Sequence, residues 1–91
     1  MQMATAAGVA VDYAMYDVMK SMATSLRVAY GRRARAASTT EEREHWRAKR
    51  LGVRDIVAGA VDTDREDMIA RTKMMRDEFD RIGGLSDGGR V

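Results

Sequence analysis

VDYAMYDVMKSMATSLRVAY, residues 11 to 30, is the stretch on which the fold turns. Val11, Met15, Val18, Met22, Leu26 and Ala29 recur at alternating steps of four and three, which aligns them in one stripe along an α-helix. Tyr16, Met19, Ala23 and Tyr30 widen the apolar arc well past what a single packing contact requires. This helix therefore has two apolar surfaces to cover: a core, and a second surface that suits a partner or another copy of the chain. Arg33 shares the stripe's angular position, so the buried face is expected to end near Ala29 or Tyr30. Gly31 reads either as a C-terminal cap or as part of a final exposed turn.

Two more segments follow. In the second, Ser38 and Thr39 each precede a glutamate by three residues (Glu41 and Glu42), the spacing of a capping box, in which side chains satisfy the free amides of a helix start. Its apolar face is thinner: Trp46, Val53, Val57 and Ala60, with Ile56 at the edge. In the third, Asp62 or Thr63 is the expected cap, and Thr63 with Glu66 repeats the box. The stripe there is Met68, Thr72, Met75, Phe79 and Ile82, stopped by Gly83 and Gly84. Helices are expected at about 9–36, 39–60 and 63–82, within a single domain spanning 1–84, followed by a flexible tail at 85–91. Short connections imply antiparallel neighbours, so the expected class is all-α: a small three-helix bundle, or a long helix packed on a helical hairpin.

Composition agrees with this class. The 91 residues are 45% hydrophobic and 33% charged, with no proline, cysteine or asparagine. A chain of this size buries only ~60–65% of its unfolded surface, so a partner or second copy would add stability. Lack of cysteine removes disulfides and thiolate metal sites and fits a reducing cytosol. The apolar opening MATAAGVAV is short and lacks a basic flank, and Asp12 interrupts it, so neither a signal peptide nor a membrane span is expected. A cytoplasmic protein follows. The preference for arginine over lysine, with abundant alanine, valine and glycine, suits a GC-rich bacterial genome, for example an actinobacterial one.

Catalytic readings find little support. His45 and Glu41 lie one helical turn apart, but no second histidine and no cysteine exists to complete a metal site. Ser21 and Ser25 fall mid-helix and Ser38 is a candidate cap, leaving no serine for nucleophilic catalysis. The pairs Asp62/Asp64 and Asp77/Asp80 are spaced as helix-start or solvent-facing residues, and GGLSDGG lacks the lysine of a phosphate loop. No enzyme activity, cofactor or metal is expected.

Binding readings have more to stand on. The net charge is only +2, yet Arg43, Arg47, Arg50 and Arg54 recur at steps of four, three and four in the second segment, forming one line. Such a line suits phosphates or a carboxylate-rich partner through bidentate hydrogen bonds. The alternative is a solvated stripe, neutralised in part by Glu44, Asp55 and the acidic third segment. Arg32, Arg33 and Arg35 at the end of one helix and Glu41, Glu42 and Glu44 at the start of the next complement the two helix dipoles. Core filling explains Met15, Met22, Met68 and Met75; Met19 and Met74 are better suited to an adaptable partner or self-association surface.

In length and in the helical layout of residues 9 to 84, the chain resembles the small antitoxins of bacterial toxin–antitoxin pairs, of the zeta-toxin antitoxin type. That resemblance implies a protein partner, a cognate toxin, inhibited by helices that cover its nucleotide site. A second antitoxin motif, a serine or threonine four residues before glutamate and then glycine or asparagine, is met by Ser38 and Glu42, but Arg43 stands in its last position. The leading expectation is a protein-binding module, antitoxin-like or adaptor-like, acting through Tyr16, Met19, Ala23 and Tyr30 together with the arginine line. The alternative is a small nucleic-acid-binding regulator that uses the arginines alone. If Met19 faces a partner, Met19→Asp abolishes complex formation and leaves the helicity seen by circular dichroism intact; if Met19 is core, the same variant loses its fold.

Overall fold

The computed structural model describes residues 10 to 85, and in them the chain forms three α-helices. They are α1 (Tyr13–Ala36), α2 (Thr40–Ala58) and α3 (Arg65–Arg81). The start of each is set by a side chain that accepts a free backbone amide. Asp12 accepts from Met15 N at 3.0 Å and Thr39 accepts from Glu42 N at 3.1 Å. At α3 the cap is Asp64, accepting from Asp67 N at 3.1 Å, rather than the expected Asp62 or Thr63. The reason is the six-residue connection from Gly59 to Asp64: Asp62 is committed to α1, its carbonyl accepting from Asp12 N at 3.0 Å. Asp12 likewise caps α1, which begins at Tyr13, four residues later than expected. At the other end of α3, Gly83 (φ 90°) and Gly84 (φ 61°) turn the chain through the left-handed region, and Gly84 N donates to Phe79 O at 2.7 Å. Of the expected tail, only Leu85 lies within the described residues.

α1 is the shared helix. α2 runs antiparallel to it, bringing Trp46 against Tyr30 with ring centroids 5.8 Å apart. α3 runs back parallel to α1: Arg65 Nη1 donates to Asp12 Oδ2 at 2.7 Å, Tyr30 Oη to Glu78 Oε2 at 2.6 Å and Arg32 Nη1 to Leu85 O at 2.8 Å. α2 and α3 meet each other mainly through side chains, Arg71 Nη1 donating to Ile56 O at 3.0 Å and Lys49 Nζ standing 3.7 Å from Glu78 Oε2.

Two helices on one explains the wide apolar arc of α1. Met15, Met19, Met22, Ala23, Leu26 and Ala29 are all buried, in one cluster with Val53, Met68, Met75 and Ile82. Met19 is fully buried, so the expectation that it faces a partner is corrected: the second apolar surface is covered from within the chain. Ala23 and Tyr30, at 5% and 4% exposed, are corrected in the same way. Val18, assigned to the stripe, is instead 52% exposed, because the buried arc is centred between the two flanking helices and Val18 lies beyond its edge. Met74 is exposed, as a surface methionine should be.

The helix continues through Gly31 to Ala36, and burial continues to Ala34 and Ala37. A methyl group at Gly31 would meet only the Arg35 and Arg50 guanidinium groups, at 3.7 and 3.8 Å. Arg33 does lie at a core angle; its guanidinium carbon sits 5.6 Å from the Trp46 ring centroid. Its Nε is buried and has no hydrogen-bond partner among the described residues.

Tyr30, Glu78, Lys49 and Arg81 tie the three helices together. Hydrogen bonds from Arg81, above all, and from Tyr30 hold the Glu78 carboxyl at about 2, below its ordinary 4.5, against the opposing effect of burial. A depressed carboxyl contributes stability above its unfolded pKa and loses it as pH falls towards the folded value.

Three outcomes follow from this packing. Met19→Asp loses helicity by circular dichroism, and Met19→Ala costs about 2–5 kcal/mol in denaturant titration. Gly31→Ala raises stability by about 0.5–1 kcal/mol, since Gly31 is an interior helical position with room for a methyl group. Between pH 4.5 and 2 the wild-type melting temperature falls, and Glu78→Gln, less stable at neutral pH, falls less over the same interval.

Candidate anion-binding groove

The packing of α2 on α1 turns the arginine line towards α1 rather than straight out to solvent. Arg43, Arg47 and Arg50 line a cleft of about 430 Å³ with Gly31, Ala34 and Arg35 of α1. Arg47 and Arg50 pass into a second cleft, with Arg27, Leu51 and Arg54. Arg27 and Arg54 in turn border a third, floored by Ala23, Val53 and Val57 and edged by Lys20, Thr24 and Ala58. Shared walls make the three one groove along the α1/α2 seam. From Lys20 to Arg35 it follows sixteen residues of α1, fifteen helical steps or ~22 Å.

Among the described residues, seven cations line this groove and no carboxylate does. Among the described residues, the expected neutralisation is met at the rim, where Arg47 Nη1 lies 3.2 Å from Glu44 Oε2 with both side chains well exposed. Three carboxylates of α3 are engaged elsewhere: Asp67 with Arg71, Asp77 with Lys73, and Glu78 with Arg81 and Lys49. Arg65 is taken by Asp12. These pairs keep four acids, Asp12, Asp67, Asp77 and Glu78, on cations outside the seam, whose own lining is cationic although the chain total is only +2.

The groove has two chemically different ends. Around Gly31 and Ala34 the walls are guanidinium groups. Around Ala23, Val53 and Val57 the floor is apolar, with cations only at the edges. Exposed Leu51 adds an apolar wall between them.

The proposed site residues thus separate into two sets. Arg43, Arg47, Arg50 and Arg54 come together on one groove, Arg43 half-buried and the others exposed. Ala23, although buried, forms part of its floor. Tyr16 packs partly against the core, with Lys20 Nζ 5.5 Å from its ring centroid at the groove's apolar end. Met19 and Tyr30 belong to the interior, Tyr30 held by Glu78. Sequence reasoning did not identify Lys20, Thr24, Arg27, Gly31 and Arg35, which form the opposite wall. Their steps of four, three, four and four carried the same kind of signal as the line on α2.

Trp46 faces away from the groove lining, stacked on Tyr30, with the His45 ring edge-on at 4.8 Å. Among the described residues no three histidine, cysteine, aspartate or glutamate side chains converge as metal ligands, and no helix is long and apolar enough to cross a membrane. Comparison with protein families, curated proteins and solved structures returns no match.

Cations facing one another across a seam repel, and a bound polyanion relieves that repulsion. Tripolyphosphate at about ten times its dissociation constant contributes ~1.4 kcal/mol, a rise of roughly 6–11 °C in melting temperature for a domain of this size. The variant Arg43→Gln/Arg50→Gln keeps or gains intrinsic stability and loses most of that rise, as read in a thermal-shift titration.

Proposed function

We propose that the chain is a non-catalytic protein-binding module, antitoxin-like or adaptor-like, that works in the bacterial cytoplasm and holds a protein partner in the groove between α1 and α2. The observation that carries this reading is a seam lined, among the described residues, by seven cations and no carboxylate, over the apolar side chains of Ala23, Val53 and Val57. Guanidinium groups form bidentate, charge-assisted hydrogen bonds with carboxylates, and an apolar floor supplies the burial that charges at a solvated rim do not. The packing of His45 on Trp46 supports a structural role for that histidine and, with it, a chain without catalysis. In the antitoxin form of the reading, the partner is a toxin whose active surface is covered when the groove is filled.

The second reading, a nucleic-acid-binding regulator, is favoured by the arginine excess of the groove. It makes less use of what is there: among the described residues no aromatic side chain lines the groove to stack on a base.

Affinity capture of the tagged chain from its native lysate, with and without nuclease, compares wild type with Arg47→Glu/Arg50→Glu. A stoichiometric protein that survives nuclease, and whose affinity falls on the order of tenfold or more in a variant with unchanged circular dichroism, supports the reading. Recovery of nucleic acid instead, with affinity lost by about 10³–10⁵ between 50 and 200 mM salt, transfers the groove to the regulator reading.

A further inference from the structure

Gly31 is buried in the interior of α1, which continues to Ala36. A glycine there costs helix stability relative to alanine, and no tight helix crossing requires it. Apart from the helix itself, what stands within 4 Å of the place a methyl group would take is Arg35 Nη1, at 3.7 Å, and Arg50 Nη1, at 3.8 Å. The two nitrogens come from α1 and α2, and both stand over the gap that the missing side chain leaves. Among the described residues, neither of these guanidinium groups, nor that of Arg43 in the same cleft, makes a hydrogen bond or an ion pair. Arg47, the fourth arginine of the cleft, is met by Glu44.

Cations drawn to one point without a counter-charge are half of an anion site, and the chemistry of the other half can be chosen. A carboxylate brings one charge and two oxygens, which a single guanidinium group satisfies in a bidentate pair. A phosphodiester strand spreads single charges along its length. A terminal phosphoryl group carries about −1.5 to −2 charges at pH 7 on three acceptor oxygens, which suits guanidinium groups arriving from separate directions.

We infer that Arg35, Arg43 and Arg50 form a site for one terminal phosphoryl group, seated over Gly31 in the cleft of about 430 Å³. An oxygen that accepts from both Arg35 and Arg50 lies beside the place a methyl group would take, so the absent side chain leaves it room. This goes beyond the protein-binding reading and does not require it. The phosphoryl group arrives on a phosphorylated side chain of a protein or as a free phosphate, and its recognition by the arginines is the same in both cases.

The test is calorimetry and NMR of the arginine Nε–H groups on the full chain at fixed ionic strength. The probes are orthophosphate, an uncharged peptide carrying one phosphoserine, the same peptide with glutamate in that place, and a single-stranded oligonucleotide without terminal phosphate. A phosphoryl site predicts one saturable event for orthophosphate and for the phosphoserine peptide, with shifts at Arg35, Arg43 and Arg50. The glutamate peptide binds roughly tenfold or more weakly than the phosphoserine peptide. Arg35→Gln and Arg50→Gln, both at exposed positions, each weaken the two phosphates roughly tenfold or more without lowering the melting temperature. Arg54→Gln, outside this cleft but on the same groove, leaves affinity within about twofold. Gly31→Ala moves two properties in opposite directions: the melting temperature rises, and phosphate affinity falls roughly fivefold or more.

Tighter binding of the phosphoserine peptide than of orthophosphate supports the site and assigns its ligand to a phosphorylated protein; equal affinities support it with a free phosphate as ligand. Arg54→Gln as damaging as Arg50→Gln overturns the inference, because the groove then acts as diffuse charge. A glutamate peptide that binds as well as the phosphoserine peptide overturns it, as does an oligonucleotide that binds more tightly than both phosphates. Gly31→Ala with a raised melting temperature and unchanged phosphate affinity removes the seat over Gly31 and overturns it too, and so does the absence of saturable phosphate binding. Lysate capture through Arg47 and Arg50 tests the protein-binding reading separately, so failure of one is distinguishable from failure of the other.

Discussion

An apolar arc on one helix that only two helices can cover is the constraint from which the rest of this structure follows. Met19 and Leu26 of α1 are buried in one cluster with Val53 of α2 and Met68 and Met75 of α3. α2 contributes one fully buried residue, Val53, with Trp46, Ile56 and Val57 packed alongside, so its position depends more on α1 than on an extensive face of its own. Methionine suits this arrangement: an unbranched thioether adapts to two neighbours meeting at an angle better than a β-branched side chain does. Since α2 and α3 share α1 but touch each other mainly at Arg71–Ile56 and Lys49–Glu78, loss of the α1 surface would remove both interfaces together.

The same packing sorts the charges. Asp67, Asp77 and Glu78 of α3 pair with nearby cations, and the network of Tyr30, Glu78, Lys49 and Arg81 joins the three helices. What remains at the α1/α2 seam is one sign of charge, held close together by a backbone arrangement fixed elsewhere. Clustered like charge opposes folding slightly and raises the local concentration of any polyanion. A net charge of +2 conceals this, because a sum carries no information about which side of the bundle each residue occupies.

Much of the fold was legible because local rules and packing agreed. The stripe of α3, from Met68 to Ile82, lies inward as its spacing requires, and Thr39, Gly83 and Gly84 punctuate the helices as their chemistry predicts. Misreadings arose where a tertiary neighbour decided the outcome. Met19 and Ala23 read as a spare surface because a sequence does not say that both later helices dock on the first. Val18 read as core because an arc drawn from spacing alone has no fixed centre. Asp64 took the cap from Asp62 because the Asp62 carbonyl is bound to the start of α1. At the candidate site, the wall on α2 was legible as a regular line, whereas its relation to Lys20, Arg27 and Arg35 required the crossing of two helices.

Fold and proposed function thus share one support, the α1 surface between Met19 and Ala34, whose inner side organises the core and whose flank floors the groove. Residue-resolved amide hydrogen exchange of the free chain tests that claim most directly. The account predicts the slowest exchange in α1 between Met19 and Ala34, at the free energy of global unfolding, with α2 and α3 opening at or below that level. An α1 that exchanges faster than α2 and α3, leaving those two protected as an independent hairpin, would contradict it.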